Sequence, residues 1–255
     1  MNIAAIQLDI RWEDRAANHA RVRELVSSRK ISPGTLLVLP ETFDTGFSMN
    51  KAVTDPGAES ASENFCRALA REHGIAVLAG IVARTNDGPL ANEAVAFAPD
   101  GRELARYRKM QPFTGAKEHE CHVAGTSHVV FVWQGTKIAP FICYDLRFPE
   151  LFRPAARDGA ELMIVIANWP KVRSEHWVRL LQARAIENQG FVLGVNRCGD
   201  DPALRYDGRS ALFDPMGNTL FEADGREQVI QHALDPADAR AWRDNFPALR
   251  DIRHC

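Results

Sequence analysis

The 255 residues are 45% hydrophobic and 25% charged, with a formal net charge of −2, as in a globular chain able to bury a core of its own. No basic excess marks a nucleic-acid partner, and no apolar run approaches the about 18 residues that span a bilayer. The opening segment "MNIAAIQLDIRWED" lacks a basic flank and soon reaches charge, so it reads as a first strand and not a signal peptide.

The elements follow in alternation. "NIAAIQLDI" is strand-like, and "EDRAANHARVRELVSSRK" is helical, with apolar residues at Ala17, Ala20, Val22 and Leu25. "TLLVLPE" is a continuous apolar strand ending at Pro40. "ASENFCRALAREHG" is a helix that Gly74 is placed to close. "IAVLAGIVAR" and "NEAVAFAPDG" are strands, the second turning at Pro99-Asp100-Gly101, and "ELARYRK" leads out of that turn. "SHVVFVWQGTKIAPFIC" reads as two strands joined at Gln134-Gly135. "RFPELFRPAARDG" is a helix closed by Gly159. "AELMIVIAN" is a buried strand, and "SEHWVRLLQARAIENQG" is a helix with Ser174 as its N-cap. "FVLGVNRCG" is a strand, "GRSALFDPMGNTLFEAD" a hairpin, "EQVIQHALD" a last strand, and a polar, partly helical tail follows. No linker, repeat or low-complexity segment divides the chain, so residues 1–255 read as one α/β domain whose last ~20 residues form the tail. Strands apolar on both faces, such as "TLLVLP" and "ELMIVIAN", require a layer on each side.

Three strand exits carry reactive groups: Glu41, Lys109 and Cys143. A thiol needs a base to become a nucleophile at neutral pH, a carboxylate can take and return its proton, and an ammonium can hold an oxyanion. If Cys143 occupies a sharp strand-to-helix turn, the Tyr144 N–H faces the same oxygen. Each residue also has a plain structural reading. A lone cysteine at a strand end is usually packing, an acid after proline is usually solvated, and a run such as Arg106-Tyr107-Arg108-Lys109 is usually a surface face. The five cysteines (66, 121, 143, 198 and 255) are odd in number and contain no C-x-x-C pair, so reduced thiols and a cytoplasmic location are expected. Cys121 lies beside His119 and His122, but the ligands are crowded and no fourth is evident, so no metal is expected.

The words around the three residues decide between these readings. "LLVLPETF", "YRKMQPF" and "ICYDLRFPELFR" closely resemble, in that order, the signature segments of the nitrilase superfamily, the carbon–nitrogen hydrolases. "GIVAR", "NEAVAFAPDG", "HWVRLLQARAIENQGFVLGVNR" and "GRSALFDPMG" are similar to further segments, so the resemblance covers nearly the whole chain. It implies Glu41 as general base, Lys109 as oxyanion-stabilising lysine and Cys143 as nucleophile. It also implies a second glutamate between the lysine and the cysteine. "FTGAKEHECHVAG" resembles the omega-amidase branch, and aligning Ala124-Gly125 with that branch's turn selects Glu118, with Glu120 as the runner-up. The implied fold is a four-layer α-β-β-α sandwich. Its subunits pair through the helices next to the nucleophile, giving a homodimer or higher homo-oligomer, and the tail "ALRDIRHC" is a candidate for crossing onto the partner.

Omega-amidases hydrolyse the terminal amide of 2-oxoglutaramate or 2-oxosuccinamate, so the resemblance implies a small-molecule amide substrate and no metal or organic cofactor. The carboxylate at the substrate's far end calls for a cation, and Arg147 and Arg173 are the candidates. Phe43 and Trp169 are candidates for apolar walls, and the N–H groups near Asn168-Trp169 for orienting the carbonyl. Against these roles, Arg147 can pair with Asp145, and Arg173 can be a solvated residue before its helix. The rival readings are another activity on the same site, such as an N-carbamoyl amidase, aliphatic amidase or nitrilase, and a binding protein that keeps the fold without the chemistry.

Overall fold

The computed structural model describes residues 1–253; His254 and Cys255 lie outside, and with them the expectations for the Cys255 thiol and the end of the tail. The strands of the first half are β1 (Asn2–Gln7), β2 (Leu36–Val38), β3 (Ala76–Arg84), β4 (Leu90–Phe97) and β5 (Glu103–Arg108). Those of the second half are β6 (Phe131–Trp133), β7 (Thr136–Ile142), β8 (Leu162–Ala167), β9 (Phe191–Asn196), β10 (Cys198–Asp200), β11 (Arg205–Asp207), β12 (Ala211–Phe213), β13 (Thr219–Glu222) and β14 (Gln228–Ala233). The helices are α1 (Arg15–Ser28), α2 (Lys51–Thr54), α3 (Ala61–His73), α4 (Glu118–Cys121), α5 (Pro149–Arg157), α6 (Ser174–Asn188) and α7 (Ala237–Asn245).

Two six-stranded sheets result, ordered β14-β1-β2-β3-β4-β5 and β13-β12-β9-β8-β7-β6. Both follow one pattern. An antiparallel edge strand (β14 or β6) joins three parallel strands, and two antiparallel strands complete the sheet. Two antiparallel steps restore direction, so β5 exits at the same edge as β2 and β3. That puts the chain after Glu41 and the chain carrying Lys109 at one end of the sheet.

The period-2 alternation of the strands builds the layers. Ala4, Ile6, Leu37, Leu39, Val77 and Ala79 point toward Val22, Leu25 and Val26 of α1 and Phe65, Cys66 and Leu69 of α3. Their neighbours Ile3, Ala5, Leu36, Val38, Ala76 and Leu78 point the other way, into a core shared with β7, β8 and β9. The far face of the second sheet is covered by Phe152 and Ala155 of α5 and Trp177, Leu181 and Ala185 of α6. The architecture is thus the four-layer α-β-β-α sandwich. Each fully buried Leu, Ile or Phe in it contributes about 1.5–3 kcal/mol. Aromatic contacts carry the packing through the layers, with Tyr107 against Phe141 at 5.8 Å and Phe141 against Phe152 at 3.9 Å between ring centres.

Helix ends follow local chemistry. The Asp14 side chain accepts the Ala17 N–H, Ser60 accepts the Glu63 N–H, and Gly74 closes α3 at φ +63°. Two local expectations change. Ser174 is the first residue of α6 and not its cap, because the 3-10 turn Lys171–Arg173 runs straight into the helix; its Oγ instead accepts from Arg209 at 3.0 Å. Ala20 is exposed, and Asn18 is the buried residue on that face of α1, donating to the Arg11 and Asp44 carbonyls. The tail folds back on the body: Arg243 of α7 donates to the carbonyls of Ala160, Asn188 and Gln189.

Candidate active site

Glu41 follows Pro40 at the exit of β2. Gly80 on β3 makes room for it, since a Cβ there would lie 2.5 Å from the Glu41 Cα and 2.8 Å from the Pro40 carbonyl. Lys109 follows β5, its N–H donating to the Asn92 carbonyl at 2.9 Å. Gly125 packs on the same exit, donating to the Lys109 carbonyl at 2.8 Å, and a side chain there would strike the Arg108 carbonyl. Glu118 opens the short α4, where the Phe113 N–H reaches its Oε2 at 2.6 Å.

These three side chains meet inside the protein, each 0–1% exposed. Lys109 Nζ lies 2.8 Å from Glu41 Oε1 and 2.9 Å from Glu118 Oε2. Asn92 ties the carboxylates together, donating to Glu41 Oε1 at 2.8 Å and Glu118 Oε1 at 2.9 Å. Glu41 Oε2 accepts the Asn168 N–H at 2.8 Å. Burial opposes the charge on Lys109, but Glu118 and Glu41 outweigh it and keep the ammonium protonated well above the ordinary lysine range. Burial by itself would raise the Glu118 carboxyl; Lys109, His122 and the Phe113 N–H pull it down to about 2. Glu41 is the carboxylate next to Cys143, whose thiol donates to the Asn168 carbonyl at 3.9 Å.

Cys143 opens a 3-10 helix, Cys143–Arg147, at the end of β7, with φ at +48°. A side chain in this left-handed region costs about 1–3 kcal/mol and persists only where the surroundings enforce it. Asp145 does the enforcing. It accepts from the Ile142 N–H and the Gln111 N–H at 2.9 Å and from the Tyr107 hydroxyl at 2.7 Å. The carboxylate therefore joins the cysteine turn to the strand end that carries Lys109. Burial lifts the Asp145 carboxyl to about 6 despite the three donors. Burial and then the Glu41 charge push the Cys143 thiol well above its usual range, so attack requires a base at the moment of bond formation. The Tyr144 N–H lies in the first turn of the same helix, where no carbonyl of that helix can take it.

A pocket opens above Cys143. Phe47, Phe113, Tyr144, Trp169, Leu204 and Tyr206 give it apolar walls, and Arg147 and Arg173 bring cations. The Arg147 guanidinium sits 4.7 Å from the Trp169 ring centre and 3.3 Å from His176 Nδ1; Arg173 sits 5.8 Å from the Phe113 ring centre. Neither arginine has an acidic partner among the described residues, where no three His, Cys, Asp or Glu side chains converge as a metal site.

The family model for carbon-nitrogen hydrolases matches residues 2–244. The chain belongs to the carbon–nitrogen hydrolases. It is therefore a hydrolase acting on carbon–nitrogen bonds, of the nitrilase superfamily, and most like its bacterial omega-amidase branch. It is similar to the 2-oxoglutaramate amidase of Bacillus subtilis (strain 168), 32% identical over 98% of this chain and 97% of the relative. It is also similar to omega-amidase YafV of Escherichia coli (strain K12), 36% identical over 98% and 96%. Among solved structures, a CN-hydrolase superfamily protein of Xanthomonas campestris with an arsenic adduct in its active site superposes with a TM-score of 0.91. It shares 34% identity over 100% of this chain and 98% of that one.

Within this carbon–nitrogen hydrolase, the structure gathers Glu41, Lys109, Glu118 and Cys143. It separates the two glutamate candidates, because Glu118 is buried against Lys109 while Glu120 is exposed. Tyr144, Arg147, Asn168, Trp169 and Arg173 all line the pocket. Arg147 does not pair with Asp145, whose oxygens are taken by Tyr107, Gln111 and Ile142. Two expectations are corrected. Phe43 is no wall: Thr42, at φ +40°, turns it away, its N–H bonds the Gly80 carbonyl, and its ring lies in the α1/α3 core near His19 and Phe65. Phe47 lines the pocket instead, 5.0 Å from Lys109 Nζ. The Asn168 and Trp169 N–H groups are not free for a substrate carbonyl, since Glu41 takes the first and the Asn196 side chain the second at 2.7 Å. Asn168 acts through Glu41, its Nδ2 reaching the Glu41 carbonyl at 2.6 Å. Sequence reading missed Asn92; the signal was the polar pair Asn92-Glu93 inside the otherwise apolar run "LANEAVAF".

Proposed function

We propose that this chain is a cysteine-dependent amidohydrolase for the terminal amide of a small 2-oxo dicarboxylic acid monoamide, 2-oxoglutaramate or 2-oxosuccinamate. The products are the 2-oxo acid and ammonia. One observation carries the reading: Lys109 held between Glu41 and Glu118 beside Cys143, under an apolar pocket with two arginines that lack acidic partners. Relatives named for 2-oxoglutaramate and omega-amidase activity support the substrate class.

In the proposed reaction, Glu41 takes the thiol proton as the sulfur of Cys143 attacks the amide carbon. Lys109 and the Tyr144 N–H hold the resulting oxyanion. As the carbon–nitrogen bond breaks, Glu41 returns the proton to the departing nitrogen and ammonia leaves. A thioester remains on Cys143. Glu41 then deprotonates a water that attacks the thioester, the acid is released, and the sulfur recovers its proton. Glu118 keeps Lys109 charged throughout. An arginine, Arg147 or Arg173, receives the far carboxylate.

The same proposal takes residues 1–255 as one domain acting in the cytoplasm as a homodimer. Ile186 and Met216, both large, apolar and more than half exposed on the α6 side, support pairing through that face. Ammonia release from 2-oxoglutaramate, an N-carbamoyl amino acid, an aliphatic amide and a nitrile tests the substrate assignment. The oxo-acid amide is expected to give the highest kcat/KM, and no activity on it would end the omega-amidase reading. The Cys143→Ala variant is expected to fold and to release no ammonia.

A further inference from the structure

The hairpin β10–β11 belongs to neither six-stranded sheet, yet it supplies Leu204 and Tyr206 to the pocket over Cys143. It takes no part in the contacts that hold Glu41, Lys109 or Glu118, and still it is heavily braced. Asp201 Oδ1 accepts the N–H groups of Ala203 and Leu204, both at 2.7 Å, and Oδ2 accepts the Tyr206 hydroxyl at 2.6 Å. The Asp201 N–H donates to the Leu204 carbonyl at 2.9 Å. The Arg197 guanidinium lies over the Tyr206 ring, 4.4 Å from its centre. Arg197 is 0% exposed, donates to the carbonyls of Ile10, Cys198 and Asp200, and keeps one nitrogen, Nη1, without a partner among the described residues. A buried arginine with an unused donor is costly.

The bracing settles what Tyr206 offers. Its hydroxyl is committed to Asp201, so the pocket receives an apolar ring, and Leu204 adds a second apolar group. A substrate with its amide carbon at Cys143 and its carboxylate at an arginine presents the methylenes of its chain to such walls.

We propose that Tyr206 and Leu204 set the length of the acyl chain that the site accepts, and that Asp201 and Arg197 are positioning residues that fix the Tyr206 ring. The proposal rests on the dicarboxylic monoamide reading and deepens it. One methylene too many either displaces the ring or carries the carboxylate past its arginine, and a misfit of one methylene costs tenfold or more in kcat/KM, on the order of the usual discrimination.

The test compares kcat/KM for 2-oxosuccinamate, 2-oxoglutaramate and 2-oxoadipamate, and for a plain series from propionamide to hexanamide, in the full-length enzyme. The readout is the ratio between successive chain lengths, because damage to the fold lowers all substrates together and leaves ratios unchanged. Tyr206→Ala and Leu204→Ala are expected to shift the ratio about tenfold toward the longer chain. Asp201→Ala and Arg197→Met are expected to shift it the same way by less, and Tyr206→Phe to keep the order of substrates. Unchanged ratios in both Tyr206→Ala and Leu204→Ala overturn the proposal. If the oxo-acid amides are poor substrates in every variant while the plain series still shifts, the wall assignment stands and the dicarboxylate reading falls.

Discussion

The ammonium of Lys109 and the carboxylate of Glu118 meet at 2.9 Å in the interior, both buried from solvent. Each therefore depends on the other. Glu118→Gln is expected to keep the shape and lose the charge, lowering kcat by about 10²–10³-fold with a smaller change in KM. The Glu118 carboxyl stands at about 2 in the fold against 4.5 in the unfolded chain. The ionised group stabilises the fold above pH 4.5, and that contribution is lost as the pH falls toward 2. Wild type minus variant stability, measured by urea unfolding across this range, should shrink with acid.

Asp145 has the opposite sign. Its carboxyl stands at about 6 in the fold against 3.8 in the free chain, so the fold holds a proton that the unfolded chain has released. Stability from this group is greatest below pH 3.8, falls as the pH rises to 6, and is constant above. The total change is roughly 3 kcal/mol. Asp145→Asn is expected to remove this slope. It also faces a donor nitrogen toward one of the N–H or O–H groups that the carboxylate accepts, at a cost of about 1–3 kcal/mol at neutral pH. Because Asp145 joins the Cys143 turn to the end of β5, kcat should fall more than KM rises.

Phe43 and Phe47 should separate cleanly. Phe43→Ala opens a cavity in the α1/α3 core and is expected to cost about 3–5 kcal/mol with KM little changed. Phe47→Ala removes a pocket wall and is expected to raise KM several-fold at a small cost in stability. Thermal unfolding and steady-state kinetics on both variants check the pair.

Gly80 sets the seat of Glu41. An added methyl meets the Glu41 Cα at 2.5 Å and Ile166 Cδ1 at 2.7 Å, and the backbone neighbour cannot yield without moving the carboxylate. Gly80→Ala is expected to lower kcat by about 10²-fold, the order found for a misplacement near 1 Å, while the protein remains folded. Ammonia release and circular dichroism check the two parts.

Strand and helix periodicity in the sequence was enough to locate the elements, because alternating and 3.6-residue patterns follow directly from which face is buried; the four-layer stacking was an implication of the family resemblance. The strand exits at Glu41, Lys109 and Cys143 were legible for the same reason. What periodicity does not encode is the path of a loop. Nothing in "PETFDTGF" says which phenylalanine faces the pocket, since that depends on Thr42 taking a positive φ. Likewise the Asn168-Trp169 N–H groups could be located at a strand end, but their partners, Glu41 and Asn196, come from distant parts of the chain. The hairpin β10–β11 escaped notice because its strands are three residues each, too short for an alternation to register.

The central claim is that Cys143 forms a covalent acyl intermediate. Rapid acid quench of the enzyme turning over 2-oxoglutaramate, followed by proteolysis and mass spectrometry, tests it most directly. The account predicts a peptide containing Cys143 heavier by the acyl group, substrate minus ammonia, which disappears on treatment with hydroxylamine. Turnover with no adduct on any peptide, or with the adduct on Cys66, Cys121 or Cys198, would contradict it.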